Sequence, residues 1–488
     1  MVKSTMSNKD LTDKEINNKT TSGILSLSTR YLVTYGFQAI STTTLARFLT
    51  ASDYGIFGIL QNWIGSLGYT TDVGLKESLI QQQSIATREQ LKAYLAVRST
   101  LAIITSLLFA AGFYYFNNKL NITNSSNLLL YFLGLINLLE VLVSLPILQF
   151  QKDLNFKKQA KIEIVSSIFL YSSQISLAIA GFGFWSLFTG SIIRHLVIIV
   201  HGLFSKLFVF PSFSHVTSIK HLFKFGFLFQ LASLVFALKG LLEPILLKSF
   251  IQIDDLGLFY WSFGLISAPL GIIFTSIQVL FPTISKIQNN EEQLMKLASR
   301  GFELISLSIV IIFGLGAVCS PFLIELLFPI QWYDAKPLMA PICFIVSLFA
   351  LRQIPIVILT GLGMPKEKLL NELIFFFVFF GVSLSLIEKY GLVGHIVATI
   401  VGHLISLLYL ILKTERFLFR KSLYKSLILF SGVIGATLVT YFLGNVEFIW
   451  YSLPIFLSVT VLFYYIFDKT ILNDFSILVG LIIRRKKD

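Results

Sequence analysis

Two six-helix membrane lobes related by an internal repeat, followed by an extra helix pair, are the all-α polytopic architecture that this sequence points to. Three observations carry the expectation. Apolar residues come in blocks of about 20, the length that crosses a bilayer core as a helix. Of 488 residues, 55% are hydrophobic and 13% charged, about half the charged share of an ordinary soluble protein, and mean hydropathy is +0.78. The same pattern also occurs twice, 202 residues apart. Leu45, Phe48, Leu49, Asp53, Gly55, Ile56 and Phe57 face Leu247, Phe250, Ile251, Asp255, Gly257, Leu258 and Phe259, without a gap (53 + 202 = 255; 55 + 202 = 257). In both copies Asp-x-Gly reads as a turn between two long apolar stretches. A duplicated helix pair in corresponding halves marks a transporter built from repeats.

Taken in order, residues 1–20 are polar, lack the apolar core of a secretory signal and read as a cytoplasmic tail. About fourteen spans follow, near 22–48, 54–75, 91–116, 127–150, 161–182, 184–205, 221–247, 256–284, 299–320, 336–360, 369–388, 391–413, 425–444 and 447–467. The first two are the least apolar, which suits helices beside a hydrated cavity. Residues 206–220, with Pro211 and neighbouring serines, read as an irregular linker. The expected organisation is therefore an N-lobe over 21–205, a linker over 206–220, a C-lobe over 221–413, a helix pair over 425–467 and a basic tail over 468–488. In that tail the run Phe475 to Ile483 is too short to span. An interfacial helix and a solvated end both fit it.

Charge placement sets the expected orientation. Of 39 Lys and Arg residues, only Arg47, Lys119, Lys248, Lys336 and Lys389 fall on outer segments or ends when the N-terminus is inside. Lys152, Lys157, Lys158 and Lys161 share one cytoplasmic loop, and Lys413, Arg416, Arg420, Lys421 and Lys425 another. This bias predicts an even span count with both termini cytoplasmic. It also accounts for the net charge of +13 without nucleic acid as a partner. The two copies, spans 1–2 and 7–8, start six spans apart, so both cross in the same direction. The repeat is parallel, its pseudo-two-fold axis lies along the membrane normal, and spans 1, 2, 7 and 8 are expected to border one central cavity.

Several chemistries are set aside. Cys319 and Cys343 lie in apolar segments and offer neither a disulfide framework nor a metal cluster. No phosphate-binding Gly-x4-Gly-Lys-Ser/Thr and no His-Glu-x-x-His occurs. His395 and His403, eight apart in an apolar helix, read as packed or loop-facing. No catalytic residue, metal site or bound cofactor is expected; proton or sodium coupling remains open.

The informative residues are charges inside the membrane. Arg30, Arg98, Arg194, Lys239 and Arg352 lie well within spans 1, 3, 6, 7 and 10. Each costs about 2.5–3.5 kcal/mol at a helix centre on insertion scales. At comparable depth stand Asp72, Glu140 and Glu243, while Glu163, Glu303 and Glu372 lie nearer cytoplasmic ends and are expected to reach the interface. One reading is internal pairing: Lys239 with Glu243 four residues on, and Glu140 with Arg98 or Arg194. The other counts five bases against three acids and takes the surplus as an anion-binding cavity, with the arginines suited to bidentate phosphate or pyrophosphate contacts. On this reading the five bases bind substrate, and Asp72, Glu140 and Glu243 couple an ion or pair with a base. Tyr31, Tyr35, Tyr69 and Trp63, on the two polar spans, offer faces for stacking on sugar rings or anchors at the interface.

Ala46-Arg-Phe-Leu-Thr-Ala-Ser-Asp-Tyr-Gly-Ile-Phe-Gly, followed by Asp72-Val-Gly-Leu and Ile80-Gln-Gln, resembles the amino-terminal signature of bacterial polysaccharide and O-antigen flippases. Leu327-Phe-Pro-Ile-Gln-Trp-Tyr-Asp-Ala-Lys-Pro is similar to that family's segment after span 9, and Gly361-Leu-Gly-Met-Pro-Lys to its turn after span 10. The likeness covers nearly the whole chain. Each motif is loose alone; their order and spacing are more specific. The resemblance implies the multidrug/oligosaccharidyl-lipid/polysaccharide exporter superfamily and an undecaprenyl-pyrophosphate-linked oligosaccharide as cargo. It also implies a place in the bacterial cytoplasmic membrane, with membrane lipids and polysaccharide polymerase machinery as further partners. Arg30 falls where relatives commonly carry a cavity base. One departure is Phe328-Pro329, where relatives usually have Gly after Phe, which bears on that turn alone.

Lipid II export and multidrug export are alternatives within the superfamily. The second predicts acidic cavities for cationic cargo, whereas bases predominate here. A membrane glycosyltransferase or polymerase would need a carboxylate site in a sizeable outer loop. The longest such loop expected is about 15–20 residues once the spans are placed, and no Asp-x-Asp occurs.

Overall fold

The computed structural model describes residues 13–418, apart from 73, 77–78, 80–86, 121–125, 154, 272, 275–279, 281–283 and 285–289. The expected spans 13 and 14 and the basic tail lie outside the described residues, as does most of the N-terminal tail. Eleven helices are described: α1 (Asp13–Leu45), α2 (Ala51–Asp72), α3 (Arg88–Leu120), α4 (Ser126–Lys152), α5 (Phe156–Ile179), α6 (Phe184–Phe204), α7 (Lys220–Phe250), α8 (Ile253–Ser267), α9 (Glu291–Leu327), α10 (Lys336–Gly361) and α11 (Pro365–Thr414). Eight stretches within α3–α7 and α9–α11 are long and apolar enough to cross a membrane, and the chain is a multi-pass membrane protein. α1 and α2 are not among them, in keeping with their polar composition. α1 begins at Asp13, so the helix takes in part of the stretch expected as a tail.

α11 holds two spans. The chain breaks at Gly391, whose φ of 52° lies in the left-handed region that only glycine enters at little cost. It then folds back, so that Phe375 stacks on His403 with ring centroids 4.5 Å apart. α5 and α6 form a similar hairpin, turned through Gly181 and Gly183 at φ 83° and 53°. Elsewhere α10 stops where Gly363 adopts φ 76° and Met364 N–H donates to Leu359 O at 2.9 Å, a glycine C-cap with Pro365 opening the next helix. The turn after α9 needs no glycine: Phe328 and Pro329 are both extended (φ −118° and −62°), a geometry that proline accepts.

The chain divides into two compact units. One comprises the described residues up to Ser41 with Ile64–Gln230; the other comprises Thr42–Trp63 with those from Leu231 onward. The linker belongs to the first unit, where Ser212 N–H donates to Lys92 O at 3.2 Å, Gln149 holds Leu207 O at 2.6 Å and Ile219 is fully buried beside Leu91 and Tyr94.

Within the second unit the repeat shows its physical content. Asp53-Tyr-Gly is not the connecting turn that the sequence pattern indicates: it lies in the first turns of α2. Thr50 N–H donates to the Asp53 carboxylate at 2.9 Å and Asp53 N–H to the Thr50 hydroxyl at 3.2 Å. This is a capping box, which competes well with a loop because it satisfies orphan helix N–H groups. Asp254 and Asp255 occupy the first turn of α8. Gly55 then packs against the carbonyl of Ile253, and Gly257 against the backbone of Ala51. A Cβ at either glycine would lie 2.3 Å and 1.7 Å from those oxygens. The contact is reciprocal in the repeat (51 + 202 = 253; 55 + 202 = 257). Backbone meets backbone because neither copy carries a side chain there.

The Gln331-Trp-Tyr segment seats the corner between α1 and α2. Gln331 and Trp332 side chains each donate to Ala46 O at 2.8 Å, covering carbonyls that the end of α1 leaves open. Trp332 stacks on Trp261 at 4.5 Å and meets Tyr54 edge-on at 5.3 Å, within a core that includes Phe302, Phe313 and Ile324.

Candidate functional site

In the first unit, α3 places Arg98 one turn after Tyr94, and both are buried. Arg98 stands 3.3 Å from the Asp72 carboxylate at the end of α2 and donates to the Tyr94 hydroxyl at 2.7 Å. Tyr94 donates in turn to Ser144 on α4 at 3.0 Å. Asp72, expected as a coupling or pairing acid, is thus the partner of Arg98. Glu140 takes neither expected arginine: its carboxylate meets His195 Nε2 at 2.8 Å, while His195 Nδ1 lies 2.6 Å from Ser191 O. Arg194, on the same helix, is exposed. Among the described residues no carboxylate lies within ion-pair distance of it.

Arg30 of α1 pairs with Glu163 of α5, which also accepts from Gln159 at 3.0 Å. Glu163 therefore does not turn to the interface as its position near a span end indicates; a partly buried arginine holds it. The Arg30 guanidinium also lies 4.1 Å from the Tyr31 ring centroid, and Tyr31 stacks on Tyr35 at 5.8 Å. Of the other two aromatics, Tyr69 is 48% exposed. Trp63 is buried and donates to Leu241 O at 3.2 Å, so it offers a face neither to sugars nor to the interface.

The second unit holds two buried polar clusters. In one, Lys239 Nζ lies 2.5 Å from Glu243 one turn along α7, and His395 Nε2 is 3.3 Å from the other carboxylate oxygen. In the other, Arg352 of α10 contacts His403 Nδ1 at 2.8 Å and Glu372 at 3.4 Å, and lies 4.7 Å from the Phe375 centroid. With the Asn371 amide turned to match its neighbours, its oxygen accepts from Arg352 at 2.6 Å and its nitrogen donates to Ser406 O at 3.1 Å. Glu372, like Glu163, is drawn inward by an arginine rather than out to the interface. The Phe375 and Phe379 rings, 5.8 Å apart, stand between the clusters, with Lys239 Nζ 5.1 Å from the Phe379 centroid.

Four of the five intramembrane bases therefore face a carboxylate, and the cationic surplus counted from sequence shrinks to Arg194. Buried charges are tolerated only when paired and hydrogen-bonded, and α2, α5, α7 and α11 supply the acids. Lys239–Glu243 was legible as an i, i+4 pair. Glu163, Glu372, His195, His395 and His403 were not, since their partners lie on other helices with no local spacing rule to announce them. No three His, Cys, Asp or Glu side chains among the described residues converge as metal ligands. What the clusters can do is exchange partners: an anion approaching Arg30 or Lys239 competes with the carboxylate already there.

Residues 44–337 match the profile of the family described as "Polysaccharide biosynthesis protein". Over 320 residues the chain is 23% identical to the succinoglycan biosynthesis transport protein ExoT of Rhizobium meliloti (strain 1021), a match that spans 63% of this chain and 62%, less than two thirds, of that relative. Among solved structures, the lipid II flippase MurJ in an inward closed conformation superposes with a TM-score of 0.67 at 15% identity, covering 92% of this chain and 99% of that one. An inward-facing multidrug resistance transporter of the MATE family, in the MOP superfamily, gives 0.55 at 13% identity, covering 80% and 95%. At such identities the two structures establish the fold.

Proposed function

The chain belongs to the polysaccharide biosynthesis protein family, and from that membership we propose that it is a flippase for a lipid-linked oligosaccharide. The cargo on this reading is an undecaprenyl-pyrophosphate-linked oligosaccharide. It moves from the inner to the outer leaflet of the bacterial cytoplasmic membrane by alternating access and supplies O-antigen, capsule or exopolysaccharide assembly. Family membership is the observation that carries the reading. The transport role in the name of the succinoglycan relative and the MurJ-like fold support it.

A pyrophosphate reaching the paired intramembrane bases meets side chains that already hold carboxylates, so binding is an exchange of ion pairs. Arg30 and Lys239 keep part of their side chains accessible, 11% and 20%, and are the bases placed for exchange. Arg194, exposed and with no ion pair among the described residues, contacts the anion without giving one up. Arg352, 2% accessible and held by three partners, organises the second lobe. Asp72, Glu140 and Glu243 hold the counter-charges between states.

The test is export of surface polysaccharide in strains carrying Arg30→Ala, Arg194→Ala or Arg352→Ala at matched protein levels. A charge-assisted contact is worth about 1.5–3 kcal/mol, so loss of a rate-limiting one slows export about 10- to 150-fold. Normal export in all three strains rejects the cation-assisted mechanism. Deleting the gene should leave a lipid-linked oligosaccharide at the cytoplasmic face; accumulation of lipid II instead would reassign the cargo.

A further inference from the structure

Glu243 stands between two donors of different kinds. Lys239 holds one carboxylate oxygen at 2.5 Å, a short charge-assisted contact. His395 waits at 3.3 Å from the other, and neither of its ring nitrogens completes a hydrogen bond among the described residues. His395 is nonetheless firmly placed. Its ring lies edge-on to Phe259 and Phe379, each centroid 5.4 Å away, and 1% of the side chain is accessible. Nε2 is thus within reach of the Glu243 carboxylate but completes no hydrogen bond to it, a buried cost that a state with a closer contact recovers.

The other groups nearby are accounted for. Tyr260 of α8 lies within the field of Glu243, and its hydroxyl makes no hydrogen bond among the described residues. Beyond Phe375, Arg352 and His403 are engaged with each other and with Glu372. Lys239 is the member able to move, on a flexible four-carbon stem with 20% of its side chain accessible.

We propose that His395 is a stand-by partner for Glu243: when Lys239 leaves for a phosphate group of an anionic lipid cargo, the His395 Nε2–H closes on Glu243 and keeps that carboxylate paired. Nε2 donates in this exchange, no proton is transferred, and one charge-assisted hydrogen bond replaces another. This rests on the flippase reading and names His395 as the positioning residue that lets Lys239 take part in binding.

The experiment uses the full-length protein in lipid nanodiscs and reads two quantities: affinity for undecaprenyl pyrophosphate, and the acylation rate of Lys239 by a water-soluble ester, followed by mass spectrometry. His395→Phe, which keeps the ring and removes the donor, should weaken binding about 10-fold, the scale of one such contact. His395→Gln, which keeps a donor, should retain most of the affinity. In the Glu243→Gln background, where no anion is left to compensate, His395→Phe should change nothing. An equal loss in both backgrounds makes His395 a packing residue and overturns the proposal, as does no loss in either. The native protein supplies a reading that needs no variant: the lipid should protect Lys239 from acylation. Protection by inorganic pyrophosphate as well assigns the contact to the phosphates, protection by the lipid alone assigns it to the carrier, and protection by neither rejects the exchange. Should the lipid not bind, yet Glu243→Gln speed and His395→Phe slow the acylation of Lys239, the stand-by contact holds and the cargo assignment falls.

Discussion

Arg352 and Arg194 mark the two extremes of an intramembrane arginine, and their substitutions separate stability from transport. Arg352 is 2% accessible and bonded to Glu372, His403 and Asn371. Glu372→Ala would leave that guanidinium short of its counter-charge, and breaking a buried pair from one side costs about 3–5 kcal/mol. The melting temperature in detergent should fall accordingly. Removing both charges together, as Arg352→Met with Glu372→Gln, should recover much of the loss, since neither group is then stranded. Arg194→Ala should leave the melting temperature unchanged, because it breaks no ion pair among the described residues. A fall in export from that variant at wild-type stability would then report cargo contact. A drop in its melting temperature comparable with that of Glu372→Ala would show a structural partner instead.

At the scale of the element, two helical glycines make predictions of opposite sign. Gly65 lies inside α2, and a methyl group added there would meet no heavy atom within 4 Å. Glycine in a helix interior costs about 0.5–1 kcal/mol relative to alanine, so Gly65→Ala should stabilise. Gly257 sits in an equally regular helix, yet its Cβ would fall 1.7 Å from Ala51 O. Gly257→Ala should therefore destabilise, by pushing α8 off the start of α2, despite its better helix propensity. Thermal melts of the two variants side by side decide it; stabilisation by both would mean that the α2–α8 contact is looser than the structure has it. The cap is a smaller term: Thr50→Ala should lose about 1 kcal/mol through the capping box with Asp53.

For the whole molecule, the distribution of Lys and Arg predicts orientation. Reporter fusions after Lys119 and Lys336 should report outside, and those after Lys158 and Arg420 inside. A cytoplasmic signal at Lys336 would break the six-plus-six arrangement. Among the described residues six helices precede residues 206–220, and α7 to α11 give six further helical segments once α11 is divided at Gly391.

The positions of these helices were legible because crossing a bilayer demands a stretch of fixed length and apolarity, a property each segment carries alone. The polarity of α1 and α2, the offset of 202 and the Lys239–Glu243 spacing were legible for the same local reason. Asp53-x-Gly55 was visible as a repeat yet misread as a turn, since an Asp that caps a helix and one that opens a turn share a side chain and differ in what the backbone does next. The charge balance belonged to another level. Arg30 meets Glu163 across 133 residues, and Arg352 meets His403 across 51. Counting charges by depth along the chain could not anticipate such pairs, because the strength of an ion pair depends on distance in space and on burial. Which of the described cations keep a partner was settled by helix packing, where a buried charge must find its counter-charge or not be buried at all.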